Sequence, residues 1–338
     1  MKTFRIVVAG CGVMARTWVE YARSREDCEI VGLVDIRIQS AQEMAGRYGL
    51  TCGLYTEIGE AITSSGANLV FDVTIPESHF TLTTTALSLG CNVFGEKPMA
   101  VSIEESLQLV ETARRYGRTH AIMQNRRYLK NIRAYRDILT SGSIGQPGLI
   151  TADFFIGAHF GGFRDAMQSP LILDMAIHTF DQARFITGQD AVTVCCHEFN
   201  PAGSWYEGNA AAICIFELAD GSVFNYRGMW CAEGVPTSWE AEWRIAGSKG
   251  TAVWNGTNAP FYETVIPAQE YVFMNQYQRI EVELDWKGRE GHQGGLDEMF
   301  AALTQQRKPE TDGTDNIKSM KMVYGALQSA RDGCKISL

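Results

Sequence analysis

Phe4-Arg5-Ile6-Val7-Val8-Ala9-Gly10-Cys11-Gly12-Val13-Met14-Ala15 is an apolar run that breaks into G-x-G-x-x-A, the way a dinucleotide-binding βαβ unit begins. Gly10 permits the tight turn after the strand, and Gly12 lets the backbone approach a pyrophosphate. Ala15 is small enough for the following helix, Met14 to about Ser24, to pack close to its strand. Val13 and Met14 then lie at the positive N-terminal end that faces the phosphates. A second apolar strand, Glu29 to Val34, ends at Asp35, 20 residues after Ala15, where a carboxylate takes the ribose hydroxyls of the adenosine. Asp35 favours NAD because it repels a ribose 2′-phosphate. Arg37, two residues on, either lies solvated at a helix start or reaches such a phosphate, which keeps NADP open. A glycine turn in another kind of α/β protein is the competing reading of the motif taken alone.

The 338 residues exceed what one ordinary core holds, so two domains are expected. Lys and Arg total 30 against 39 Asp and Glu, a net charge of −9, which gives no general attraction to nucleic acid or to an anionic membrane. No segment approaches ~18 uninterrupted apolar residues, and the first residues enter a strand instead of a basic, apolar, small-residue signal. The chain therefore reads as cytoplasmic. Its nine cysteines are scattered, without a C-x-x-C, and read as buried free thiols; neither a disulfide scaffold nor a metal site is expected.

Strands and helices alternate up to about residue 122. Asn68 to Thr74 reads as a buried strand, Glu77 to Leu89 as a helix, Asn92 to Gly95 as a strand, and Ile103 to Tyr116 as a helix capped by Ser102. This is the pattern of a parallel sheet wound on both faces. Beyond Thr119 to Met123 the texture changes. Leu129 to Leu139 is helical, Leu149 to Ile156 alternates as a strand, and further alternating runs cover Ala211 to Glu217, Val223 to Met229 and Trp239 to Ile245, separated by Gly/Asp turns. The expected fold is α/β: a Rossmann doubly wound parallel sheet over residues 1–122, then an α+β domain with a large, mostly antiparallel sheet over 123–338. Such a sheet, with aromatics such as Phe224, Tyr226, Trp230, Trp239 and Trp243, has two faces, and helices of the same chain cover one of them. The other face is expected to pair with a second subunit, giving a homodimer or a homotetramer of such dimers.

Two constellations carry chemistry. Gly95-Glu96-Lys97-Pro98 falls at the C-terminal end of a predicted parallel strand, where ligands of open α/β sheets collect. A lysine there reaches the cofactor crevice, and the proline fixes the backbone and can be cis; solvated charges at a strand exit are the alternative. In Leu173-Asp174-Met175-Ala176-Ile177-His178-Thr179-Phe180-Asp181, a helix puts Asp174, His178 and Asp181 on one face. Carboxylates there can orient an imidazole that removes the proton of an alcohol. The same spacing suits two ligands of a metal site or a structural histidine. Hydroxyl-binding groups are available in Asn125, Arg126, Arg127 and Tyr128 and, around the glycine-rich segment 157–162, in His159 and Arg164; each is equally open to a structural role. Trp230 suits either stacking on a sugar ring or a place in the core.

Taken together these residues resemble the glucose-fructose oxidoreductase, inositol dehydrogenase and rhizopine catabolism (Gfo/Idh/MocA) family. The resemblance spans nearly the whole chain. It runs from the Gly10 turn through Thr74-Ile75-Pro76-Glu77-Ser78-His79, similar to the family's T-P-x-x-x-H segment beside the nicotinamide, to Glu96-Lys97-Pro98, the Asp174/His178 helix and a closing helix at Gly294 to Phe300. It implies that Thr74, Pro76, His79 and Glu96 line the cofactor, that Lys97 serves both cofactor and substrate, and that Asp174 and His178 face the reacting hydroxyl. Ser169-Pro170-Leu171-Ile172 departs from the glycine-rich approach common before that helix, and Ala176 stands where a glycine is frequent.

The resulting expectation is an NAD(P)-dependent dehydrogenase moving a hydride between nicotinamide and a secondary hydroxyl of a sugar, inositol or related polyol, with Lys97, Asp174 and His178 as the catalytic residues. Two other classes stay open: a glycoside hydrolase or lyase that uses NAD for transient oxidation, and a non-catalytic dinucleotide-binding regulator. A regulator would need none of the three.

Overall fold

In the computed structural model, which describes residues 3–338, the chain begins with β1 (Phe4–Ala9), α1 (Ala15–Arg23), β2 (Cys28–Val34), α2 (Ile38–Tyr48), β3 (Gly53–Tyr55), α3 (Ile58–Ser65), β4 (Leu69–Asp72), α4 (Pro76–Ser88), β5 (Asn92–Gly95), α5 (Ile103–Tyr116) and β6 (His120–Ile122). It continues with α6 (Lys130–Thr140), β7 (Pro147–Phe155), α7 (Ile177–Thr187), β8 (Ala191–Phe199), β9 (Ala211–Leu218), β10 (Val223–Met229), β11 (Glu242–Gly247), β12 (Gly250–Trp254), β13 (Phe261–Ile266) and β14 (Gln276–Glu281). It closes with α8 (Gly291–Thr304), α9 (Gly313–Asp332) and β15 (Ile336–Ser337). The elements form two compact units, one made of the chain up to Asn125 together with His292–Met320, the other of Arg126–Gly291 and Lys321–Leu338.

The first unit is a six-stranded sheet in the order β3-β2-β1-β4-β5-β6, with every pair parallel. Because side chains alternate along β1, Ile6 and Val8 enter one core with Trp18, Phe71, Phe94 and Phe300, while Val7 and Ala9 enter a second with Val70, Leu82 and Val93. Both faces are therefore dry, which is what a doubly wound parallel sheet requires. The strand order reverses between β1 and β4, so the crevice beyond their C-terminal ends is where such a sheet takes its ligand. The expected cap of α5 is present: the Ser102 hydroxyl accepts from the Glu105 amide at 3.1 Å. Between Asp35 and β4 the chain adds α2, β3 and α3; a three-residue edge strand and an eight-residue helix carry too little periodicity to mark themselves in the sequence.

One boundary differs from the sequence reading, which places everything after residue 122 in a second domain. Leu296, Met299 and Phe300 of α8 belong to the first unit's core. The Phe300 ring packs edge-on against Phe4 at 4.9 Å and Phe94 at 5.3 Å. An amphipathic helix announces that it has an apolar face, not which distant core that face fills.

The second unit holds a nine-stranded sheet in the order β14-β13-β12-β11-β7-β10-β9-β8-β15. β7 and β10 run parallel and the other pairs antiparallel. Phe224, Tyr226 and Trp243 are buried, and the Phe180 ring of α7 packs edge-on against Phe224 and Tyr226. These aromatics thus occupy the helix-covered face. The residues alternating with them, among them Arg227, Arg244, Ile213 and Ile215, are exposed, and Arg227 pairs with Asp153 across β7 and β10. Trp230 is fully buried and stacked on Tyr206 at 5.4 Å, a core residue and not an open platform for a sugar.

Candidate functional site

In the first unit the turn after β1 has the two properties a cofactor cradle needs. Gly10 has φ +83°, and a Cβ there would lie 2.4 Å from the Val73 carbonyl oxygen, so only glycine fits. At Gly12 an added Cβ would meet nothing within 4 Å. The space over that backbone is open, and Val13 (74% exposed) and Met14 stand beside it at the start of α1. This geometry suits a pyrophosphate held at a helix N-terminus.

Asp35 is fixed by that same turn, accepting from the amides of Cys11 and Arg37, each at 2.9 Å. Burial first, and then the Asp35 charge, push the Cys11 thiol up to about 12, which keeps it protonated and inert. Arg37 is exposed immediately before α2. Asp35→Ala is expected to weaken NAD+ about tenfold and to shift preference toward NADP+, since it removes a charged acceptor and the repulsion of a phosphate. Calorimetric titration of both cofactors checks this, and a wild type that strongly prefers NADP+ would show the role given to Asp35 to be wrong.

At the end of β5 the Lys97-Pro98 bond is cis, and the residues on either side of Lys97 are anchored. The Glu96 carboxylate accepts from Trp18 Nε1 at 2.9 Å and faces His292 Nε2 at 3.3 Å, while its amide donates to the Asp72 carbonyl at 2.9 Å. Burial opposes the Glu96 charge, but His292, Trp18 and the Lys97 charge outweigh it and hold the carboxyl below its usual range. On the other side, the buried His79 ring lies between the carbonyl oxygens of Pro98 (Nδ1, 2.7 Å) and Thr74 (Nε2, 3.2 Å). Thr74 in turn donates its hydroxyl to Asp72 at 2.6 Å, and Pro76 opens α4. His79 and Glu96, which the family resemblance assigns to the cofactor, thus direct their side chains to the protein and fix the course of the backbone at Lys97.

Behind this segment, on β6, lies His120; a Cβ on Gly95 would sit 3.9 Å from its Nε2. Burial, helped by His79, pushes the His120 imidazole down to about 3. Its unfolded value is about 6.5. Between these limits the unfolded chain takes up a proton that the folded one refuses, so stability falls as pH drops through that window. His120→Leu is expected to lose less thermal stability than wild type between pH 7 and pH 4. An unchanged acid limb would show that the proton is taken up elsewhere.

In the second unit the Asp174 segment is not the regular α-helix read from the sequence. Leu171–Ala176 is π-helical and passes into α7 at Ile177. The wider turn removes the simple i, i+4 relation between Asp174 and His178, and such insertions recur at functional sites. The Asp174 carboxylate accepts from Arg164 Nε at 2.7 Å. Asp181 is taken by Arg127, whose Nε and Nη2 donate to its two oxygens at 2.7 and 2.6 Å. Both members of this pair are buried, and Arg184 Nη1 lies 3.9 Å from the same Asp181 carboxylate. Arg127 is thereby a core residue. So is Tyr128, which is 2% exposed under the Arg133 guanidinium. The sequence reading offers both as hydroxyl-binding groups and leaves a structural role equally open; here both side chains are buried.

His178 sits near the start of α7, mostly buried, and Asp174 and Arg164 are partly open. His159 is exposed, stacked on Trp205 at 3.7 Å and bonded to Glu233 at 2.9 Å. Arg126 donates to the Trp239 carbonyl and lies 3.8 Å from Glu240, which also accepts from Gln182 at 2.8 Å. Burial lowers Arg126 and raises Glu240. Gln182, Glu240 and Trp205 carry no sequence signal, because nothing local marks a residue whose partner is tens of positions away. Among the described residues no cluster of three or more His, Cys, Asp or Glu is arranged to hold a metal.

Two family models match the chain: the oxidoreductase family with an NAD-binding Rossmann fold over residues 4–124, and the GFO/IDH/MocA C-terminal domain over residues 132–253. Among curated proteins, D-apiose dehydrogenase of Paraburkholderia graminis is 23% identical over 100% of this chain and 90% of its own length. D-glucoside 3-dehydrogenase of Escherichia coli is 26% identical over 59% of each chain. An Agrobacterium radiobacter oxidoreductase, solved with NAD+, L-tartaric acid and magnesium, shares the fold at a TM-score of 0.84, 21% identical, covering 99% of this chain and 98% of that one. With the Gly10–Ala15 turn, the β3-β2-β1-β4-β5-β6 sheet and both domain matches in hand, the chain belongs to the Gfo/Idh/MocA oxidoreductase family and its first unit is that family's NAD-binding Rossmann domain.

Proposed function

We propose that this chain is an NAD-dependent dehydrogenase acting on a secondary hydroxyl of a sugar, inositol or related polyol, with NADP as a lesser cofactor. The observation that supports this most is the anchoring of the backbone on both sides of Lys97, by Trp18 on Glu96 and by His79 on Pro98, at the ligand-binding end of the sheet. A binding-only protein has no use for a lysine so constrained.

NAD, when bound, supplies the hydride acceptor at nicotinamide C4. In the oxidation direction His178 takes the hydroxyl proton, Lys97 stabilises the developing alkoxide, and Asp174, oriented by Arg164, holds the imidazole or a neighbouring hydroxyl. Arg164 and His159 complete the set of groups offered to the polyol. The names of the relatives, dehydrogenases of D-apiose and of D-glucosides, agree with this class of substrate.

A panel of sugars, inositols and sugar acids assayed for NADH formation, with bound cofactor identified by mass spectrometry, tests the reading. NADH formation with at least one of them is expected. Cofactor that survives purification, combined with turnover but no net NADH, would replace the dehydrogenase by an enzyme that oxidises transiently. We further propose that the chain works in the cytoplasm, without nucleic acid or membrane. The sheet face bearing Arg227, Arg244, Ile213 and Ile215 joins two copies, as a dimer or a tetramer of dimers. No described helix is long and apolar enough to cross a membrane. Light scattering at micromolar concentration should give a dimer or a tetramer, and a monodisperse monomer would rule the sheet-to-sheet pairing out.

A further inference from the structure

The segment 157–164 in the second unit is built to present aromatic rings. Its base is pinned: Tyr206 donates its hydroxyl to the Ala158 carbonyl at 3.1 Å, and His159 is held between Trp205 and Glu233. Gly161 and Gly162 follow with φ +68° and +72°, left-handed conformations that turn the chain back on itself between two phenylalanines. Phe160 rests on the buried Trp230 at 5.8 Å and against Trp239 at 6.1 Å. Even so, Phe160 is 54%, Phe163 63% and Trp239 43% exposed. The Arg164 guanidinium lies over both phenylalanine rings, at 5.2 and 4.7 Å, while its Nε donates to Asp174. One arginine therefore joins an exposed aromatic patch to the carboxylate that the proposed reaction uses.

Exposed aromatic rings held rigidly from behind are unfavourable in water unless something covers them. Three rings fall well short of the ~800 Å² per partner that a stable protein interface buries, whereas they match one sugar ring or aglycone. A free polyol carries hydroxyls on every side and gains little from such a wall. An apolar group on the anomeric oxygen of a glycoside, which has no hydroxyls to desolvate, gains much more. We propose that Phe160, Phe163 and Trp239 form an aromatic subsite for the aglycone or second ring of a glycoside, so that the substrate is a glycoside and not a free polyol. This rests on the reading that Asp174 belongs to the substrate site.

The test uses the NAD+-loaded full chain with phenyl and methyl pyranosides of D-glucose, D-galactose and D-mannose, the free sugars, and myo-inositol. KM is read from NADH formation, and binding independently by saturation-transfer NMR. At least one phenyl glycoside should show a KM about tenfold or more below its free sugar. In Phe160→Ala and Trp239→Ala that ratio should fall to about one, while Phe160→Tyr and Trp239→Phe keep it. Equal KM values for glycosides, free sugars and inositol in wild type would overturn the subsite, as would variants that weaken all of them alike. Phe160→Ala that alters only the oligomeric state would assign the patch to a contact between copies and also overturn it. Ring-dependent binding of a phenyl glycoside without NADH formation would leave the subsite standing and sink the dehydrogenase. NADH from inositol without ring dependence would do the reverse.

Discussion

Lys97→Ala and His178→Ala are each expected to lower kcat by about 10²-fold or more while the affinity for NAD+ changes little, because proton removal and alkoxide stabilisation are interactions made chiefly in the transition state. His178→Ala should also flatten the rise of rate with pH. Asp174→Asn falls between these variants and wild type: an amide still accepts from Arg164 but brings no charge to an imidazolium. If the two residues act as a unit, the double variant is little worse than the worse single one. Steady-state kinetics on a substrate found in the panel, with NAD+ titrated separately, decide the matter. Near-normal turnover by His178→Ala would leave Lys97 as the sole candidate base.

Gly12→Val should abolish measurable NAD+ binding, a loss of at least ~10²-fold, while the protein stays folded. The contrast with Gly10 makes the test sharp. At Gly12 an added Cβ meets no protein atom within 4 Å and enters the space over the turn, whereas at Gly10 it would strike the Val73 carbonyl from a left-handed backbone. Gly10→Ala is therefore expected to lower the melting temperature with or without cofactor. Gly12→Val should lower only the rise in melting temperature that NAD+ produces. Retained affinity in Gly12→Val would move the cofactor away from this turn.

Much of the first unit is legible because its signals are local. The G-x-G-x-x-A turn, the acid at the end of β2, the Ser102 cap and the Lys97-Pro98 junction each depend on residues within a few positions of one another, and the structure has them all. What escapes is whatever needs a partner far along the chain. Asp181 reads as a companion of His178 until Arg127, 54 residues earlier, takes both its oxygens. Periodicity alone draws a plain α-helix through Asp174, because a π turn inserts one residue without changing composition. The exposure of Phe160 and Phe163 is not written in the sequence, since hydrophobic character does not say whether a ring is covered.

The placement of α8 matters while the protein is being made. The first unit needs Leu296, Met299 and Phe300 to close its core, yet the residues 126–291 of the other unit are translated in between. At a synthesis rate of about 5–20 residues per second, that interval lasts on the order of ten to thirty seconds. Throughout it, Phe4, Phe71 and Phe94 have left the ribosome without the helix that shields them. The nascent cofactor domain thus exposes that apolar face until α8 emerges, and a fragment cut at its apparent C-terminal boundary would carry it for good.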